Sequence, residues 1–309
     1  MLRRSLSIVL LLAFMTLLMG PATGEAAELT DEQRAKRVDQ LFDRENLVAW
    51  CVVPFDAKRR GPEERTVMLR ALGLEQLAYD WRAEDVPHFD TEMEMLKKYD
   101  VELTGFWHFG GLDANARTIL DLLERHEIET TLWVLIGEPE GETDAEKVGK
   151  AADTLRPLAE AADAIGCSIG LYNHGGWFGE PRNQVRIIET MDMDNVGIVY
   201  NQHHGHHHVD EFAELLELMM PHLICLNLNG MMPDGDQHGQ KIWPLGHGEL
   251  DLELLNVIVE SDYDGPIGVL GHTMDDVEQR LLDNLAGLEW LKPQLKGESA
   301  GERPTTRTQ

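Results

Sequence analysis

Asp56, Asp80, His108, Gly137, His174, Asn201, Asn229 and His272 close eight short apolar runs, 24 to 43 residues apart. Most of these are residue types that do chemistry. Carboxylates and imidazoles take and return protons near neutral pH, and imidazole or amide N–H groups hold an oxygen as it gains negative charge. Imidazole is also the commonest protein ligand for a transition metal. Such residues act together only where the chain brings them to one place, so the elements between them matter first.

The runs are Leu47 to Phe55, Leu74 to Tyr79, Glu102 to Trp107, Thr130 to Ile136, Cys167 to Tyr172, Val196 to Tyr200, Leu223 to Leu228 and Ile267 to Leu270. Their length and content read as buried strands. Helical patterns fall between them, with Phe212, Leu215, Leu216 and Met219, or Val277, Leu281, Leu285 and Leu288, at the spacing of one buried face. Pro62 and Pro181 stand where first helical turns begin. Eight consecutive strand–helix units predict an α/β fold, a single (β/α)8 TIM barrel over residues 46–295. Thr30-Asp-Glu-Gln33 predicts a capped helix within residues 27–45 ahead of it, and residues 296–309, without apolar anchors, read as a flexible tail.

Strand side chains alternate, so in the fifth run Ile169 and Leu171 face the helices while Tyr172 and His174 face inward. The same rule turns Asp80, His108, Asn201, Asn227, Asn229 and His272 toward the barrel axis, most of them at the strand ends where barrel enzymes carry their chemistry. A single inward polar residue is as readily a satisfied core cap. Trp81, Trp107 and Trp177 add aromatic faces that suit a sugar ring, and Glu180 in the Gly175 to Pro181 loop is a further candidate base. In Asn201-Gln-His-His-Gly-His-His-His208, five histidines in six positions crowd a single coordination sphere. His204 is the expected site residue, with His206, His207 and His208 a solvated loop before a helix starting near Val209.

The basic start at Arg3 and Arg4, the uncharged Leu6 to Met19 and the small residues Gly20 to Ala27 predict a cleaved signal peptide over residues 1–26. That run is short of the roughly 20 residues that span a bilayer, so export, best placed in the periplasm of a two-membrane cell, is expected without a stable membrane anchor. With 27 Lys+Arg against 55 Asp+Glu the chain carries −28, which opposes nucleic-acid binding. Cys51, Cys167 and Cys225 are too widely spaced for a disulfide framework and read as buried free thiols.

These residues resemble the xylose isomerase-like TIM barrels, a group with sugar isomerases, keto-sugar epimerases, inosose dehydratases and endonuclease IV relatives. The resemblance runs from about Val52 to Leu295. It is carried by Asn195-Val-Gly-Ile-Val-Tyr-Asn201 with His204, by Leu245-Gly-His-Gly-Glu-Leu-Asp251, and by Gly265-Pro-Ile-Gly-Val-Leu270. The resemblance implies one divalent metal held by a Glu, an Asp, a His and a second Glu, yet those places here hold Tyr172, Asn201, Asn227 and Leu270. Two substitutes stand open. His174, His204 and His272 form a replacement site for zinc or manganese, or the same residues bind substrate with no metal.

The expected function is an exported sugar-active enzyme of the isomerase, epimerase or lyase type, acting on a small-molecule carbohydrate such as a neutral sugar or keto-glycoside. Asp80 and His174 are its candidate acid/base groups; His108, His204 and His272 stabilise the oxyanion. Tyr172, Asn201, Asn227 and Asn229 join the tryptophans in binding substrate. The rival is a barrel that binds carbohydrate or metal without catalysis.

Overall fold

A computed structural model describes residues 29–308; the expected signal peptide lies outside the described residues. Each of the eight apolar runs contributes a strand: β1 (Leu47–Trp50), β2 (Gln76–Asp80), β3 (Glu102–Phe109), β4 (Thr131–Leu135), β5 (Ser168–Tyr172), β6 (Val196–Asn201), β7 (Leu223–Leu228) and β8 (Ile267–Leu270). They pair in parallel in chain order, and β8 returns to β1 through Leu47↔Ile267 to Trp50↔Leu270, closing the barrel. Buried on both faces, such strands need continuous rather than alternating hydrophobicity, which is how β1 and β6 read.

The helices follow from the sequence in the same way. Thr30 and Gln33 form the reciprocal cap that starts α1 (Asp31–Leu41). Pro62 and Pro181 open α2 (Pro62–Ala71) and, after α3 (Phe89–Lys98), α4 (Ala114–His126), α5 (Asp144–Asp163) and the short α6 (Gly176–Gly179), α7 (Pro181–Met191). The stripes Phe212, Leu215, Leu216, Met219 of α8 (Phe212–Met219) and Val277, Leu281, Leu285, Leu288 of α10 (Val277–Leu295) are buried against the barrel. Between these two lies α9 (Asp251–Glu260). No helix among the described residues is long and apolar enough to cross a membrane.

The C-terminal segment differs from the expected free tail because its anchors are polar. Asp283 on α10 accepts hydrogen bonds from the backbone N–H groups of Arg307 and Thr308, and Trp290 donates to the Gly301 carbonyl.

The long connection from β7 to α9 is fastened to α10, where Asn284 accepts from the Leu245 N–H and the Leu245 carbonyl lies against Gly287. A Cβ on Gly287 would stand 1.6 Å from that carbonyl oxygen, so only glycine admits this approach. Gly287→Ala should therefore lower stability by about 1–3 kcal/mol, the usual range for overpacking, and loosen residues 230–250 in hydrogen exchange. An unchanged urea midpoint would show that the connection does not rest there.

Candidate active site at the barrel mouth

At the C-terminal end of the strands lies a cavity of about 340 Å3, within the usual range for small-molecule sites. Asp80, Trp107, Tyr172, His174, His204 and His272 line it, joined by Trp50, Cys51, Phe55, Arg82, His203, Lys241 and Ile242.

A chain of hydrogen bonds forms its floor. Trp50 Nε1 donates to the Tyr172 hydroxyl at 3.3 Å, and Asn201 Nδ2 donates to the same oxygen at 2.5 Å. Asn201 Oδ1 accepts from His203 Nδ1 at 2.7 Å, which fixes the proton on Nδ1 and leaves Nε2 as an acceptor. Asn173 holds Asn201 from behind, accepting from its N–H at 2.7 Å and donating to its carbonyl at 3.1 Å. Three strands, β1, β5 and β6, are thereby tied by neutral groups.

The histidines stack above this floor. The His174 and His204 rings lie 4.3 Å apart, His203 and His204 3.7 Å, and His272 packs edge-on to Phe55 at 4.0 Å. Burial, His174 and Lys241 together drive the His204 imidazolium down to about 2. His203 is pushed well below the ordinary value by burial and by His204, and burial with Lys241 also lowers His174. All three are neutral at physiological pH. Burial acts in the opposite sense on Asp80, raising its carboxyl to about 7 against the pull of Arg82, and Asp80 Oδ2 has no hydrogen-bond partner. Beside it Cys51 adopts φ +54°, a left-handed conformation uncommon outside glycine, and its thiol is pushed well up by burial and by Asp80.

Lys241 arrives on the long loop after β7. Gly230 and Trp243 form an antiparallel bridge across its base, and close to that bridge the Lys241 carbonyl is held by His206 Nε2 at 2.9 Å and Asn229 Nδ2 at 3.3 Å. Asp251 accepts from the N–H groups of Met231, Gly246 and Gly248, fixing both ends of the connection. Among the described residues, neither Lys241 nor Arg82 forms an ion pair. Arg82 lies over the Trp107 ring at 5.4 Å.

Several sequence-predicted positions lie elsewhere. Asp80 pairs with Trp107 across β2 and β3, and Trp107 faces the cavity, so the next residue, His108, faces the helices and bonds the Gly111 carbonyl at 3.2 Å. The register shift between Leu77 and Ala78 explains why counting along β3 put His108 inward. Trp81 packs on Phe89 of α3, and Trp177 donates to Asp144 at the start of α5. Asn227 lies below the cavity, its Oδ1 filling the space where a Gly268 side chain would stand, and Asn229 positions the Lys241 loop instead. Glu180 sits outside the cavity between His207 and His208. His206 and His208 are buried, not solvated, because one holds Lys241 and the other Tyr200 and Glu180. Helix α8 starts at Phe212, after a 3-10 turn, rather than near Val209.

The metal expectation meets the same geometry. Tyr172 and Asn201 spend their polar atoms on each other and on Trp50 and His203, and Leu270 offers no donor, so these four positions do not fit a hard divalent cation. His174, His204 and His272 share the cavity, but among the described residues the only three-residue group with donor atoms all within 4.8 Å is Glu180, His207 and His208.

A family profile described as xylose isomerase-like TIM barrel matches residues 23–294. No curated protein matches the chain. Among solved structures, a 3-keto-D-glucoside 4-epimerase from E. coli superimposes with TM-score 0.61 at 15% identity, covering 80% of this chain and 99% of that one. D-psicose 3-epimerase from Clostridium cellulolyticum H10, solved with D-tagatose, gives 0.58 at 12%, covering 81% and 99%. IOLI, solved with a bound zinc, gives 0.61 at 12%, covering 82% and 98%. Likeness at such identities is likeness of fold.

The raised Asp80 carboxyl makes a signed prediction. Between the ordinary value of 3.8 and about 7 the folded chain holds a proton that the unfolded chain has lost. The contribution of Asp80 to stability is thus intact below pH 4 and is lost as pH climbs to 7. Asp80→Asn should gain stability relative to the parent by on the order of 4 kcal/mol between pH 4 and pH 8, read from paired urea titrations. A difference independent of pH would mean that Asp80 is not held protonated by burial.

Proposed function

The chain belongs to the xylose isomerase-like TIM barrel family, and from that premise we propose that it is a sugar-active enzyme of the isomerase, epimerase or lyase type. In this reading Asp80 removes a carbon-bound proton next to a carbonyl. The observation that carries it is the buried Asp80 carboxyl, which lines the cavity, has no hydrogen-bond partner for Oδ2 and has a pKa of about 7, where a general base is most useful. The enediolate that results needs positive charge and hydrogen-bond donors. Lys241 and Arg82 supply the charge, and the neutral imidazoles of His174, His204 and His272 supply N–H groups on rings packed against their neighbours. His174 is the candidate to return the proton. Trp107 offers an aromatic face to the sugar.

No step in this scheme passes through a metal, because the residues at the family's ligand positions do not fit one. The two unpaired cations favour a substrate whose oxygen becomes anionic during reaction, as every keto sugar does on enolisation. Export through the leader at residues 1–26 belongs to the same proposal; an intact mass from a secreted fraction that begins between about residues 23 and 28 would support it.

A second reading, a carbohydrate-binding barrel without catalysis, draws on the replacement of the family's ligands by Tyr172, Asn201, Asn227 and Leu270. One experiment separates the two. Keto sugars and keto-glycosides incubated with the protein in deuterium oxide should gain deuterium beside the carbonyl. Asp80→Asn should slow exchange by roughly a hundredfold or more, and Lys241→Met by about 100- to 1,000-fold. A chelator should not abolish it, since no step of the reaction uses a metal. Substrates that bind and raise the melting temperature yet never exchange would decide for the binding barrel.

A further inference from the structure

Outside the cavity, on its rim, Glu180, His207 and His208 gather three metal-ligating side chains. Glu180 Oε1 lies 3.0 Å from His207 Nε2, and Glu180 Oε2 lies 3.0 Å from His208 Nε2. Zinc with ligands at 2.0–2.2 Å spaces tetrahedral neighbours about 3.4 Å apart, and one ligand atom from each of the three residues already lies within 4.8 Å of the other two. The His208 side chain is 2% exposed, whereas Glu180 and His207 are 40% and 53% exposed. The site thus has a buried wall and an open side for water. Behind it, the buried Tyr200 hydroxyl lies 3.1 Å from His208 Nδ1. That is the outer partner which orients a ligating imidazole.

We propose that Glu180, His207 and His208 hold a zinc ion, with solvent completing its shell, as a clip between the loop after β5 and the loop after β6. The first of these loops carries His174 and the second His203 and His204, so the clip pins the two segments that place these imidazoles in the cavity. Two imidazoles and one carboxylate suit zinc better than magnesium or calcium, which take oxygen ligands. On binding, each imidazole keeps its single proton but moves it from Nε2, where it otherwise faces Glu180, to Nδ1. His208 then carries its proton on Nδ1 and donates it to Tyr200. None of the three ligands lines the cavity, so the clip stands whether or not the barrel turns over sugars.

Calorimetric titration of chelator-stripped protein with zinc chloride near pH 7.5 tests this. The expected result is one ion per chain. Glu180→Gln and His207→Ala should each weaken binding by roughly 100-fold or more, and Tyr200→Phe by about tenfold, the scale of an outer-shell partner. His238→Ala, an exposed histidine on the loop after β7, should bind as the parent does. Because His207 is half exposed, its variant tests the site without disturbing the packing. Cobalt(II) loading of the parent adds a visible band that His207→Ala should remove. No saturable binding, binding that survives both Glu180→Gln and His207→Ala, or binding lost only in His204→Ala would overturn the proposal.

Discussion

The mouth of this barrel depends on one neutral hydrogen-bond chain, Trp50 to Tyr172 to Asn201 to His203. It crosses three strands in a buried place, where each unsatisfied polar group would cost about 1–3 kcal/mol. Because the Tyr172 oxygen accepts two donors and Asn201 is bonded on both sides by Asn173, the chain holds the strand ends in register without any charge. Carboxylates at these positions would demand a cation in the floor. Neutral groups do not, and the positive charge of the cavity enters instead from the side, on Lys241.

Two buried aspartates show how the fold separates support from chemistry. Burial raises both Asp80 and Asp251 to about 7. The oxygens of Asp251 are taken up by three backbone N–H groups that clamp the connection delivering Lys241. Asp80 lines the cavity and has an oxygen with no partner. Similar burial therefore serves two ends: one carboxyl fixes the loop that brings the cation, and the other meets whatever the cation helps to bind. The distinction lies in hydrogen-bond partners rather than in acidity.

The strands were legible because a parallel barrel needs eight apolar runs at regular intervals. Parity along β5 correctly turned Tyr172 and His174 inward, since that strand pairs without interruption. Along β3 it failed, because the shift between Leu77 and Ala78 exchanges the faces of Trp107 and His108, and no residue type announces such a shift. Lys241 was beyond reach for a different reason. Its place is set by His206, Asn229, Asp251 and Gly287, residues 10 to 46 positions away, and their contacts have no periodicity to read. Cys51 gave only a weak signal, a residue between an apolar strand and a proline-containing loop, while its left-handed backbone is visible only in three dimensions.

Charge is distributed unevenly between surface and site. The chain as a whole carries −28, yet the cavity holds Lys241 and Arg82 without ion-pair partners and one carboxyl that is half protonated at neutral pH. Lys241 helps to keep His174, His203, His204 and His272 uncharged, so adding a proton to any of them would raise the repulsion inside the cavity. Below their ordinary value of 6.5 these histidines favour the unfolded chain, which takes up protons the folded one refuses, so their stabilising effect is present above 6.5 and lost as pH falls. Asp80 acts in the opposite direction over an overlapping range. The mouth is therefore balanced near neutrality, where Asp80 is partly ionised and the imidazoles are neutral, the pairing of protonation states that proton abstraction beside a carbonyl requires.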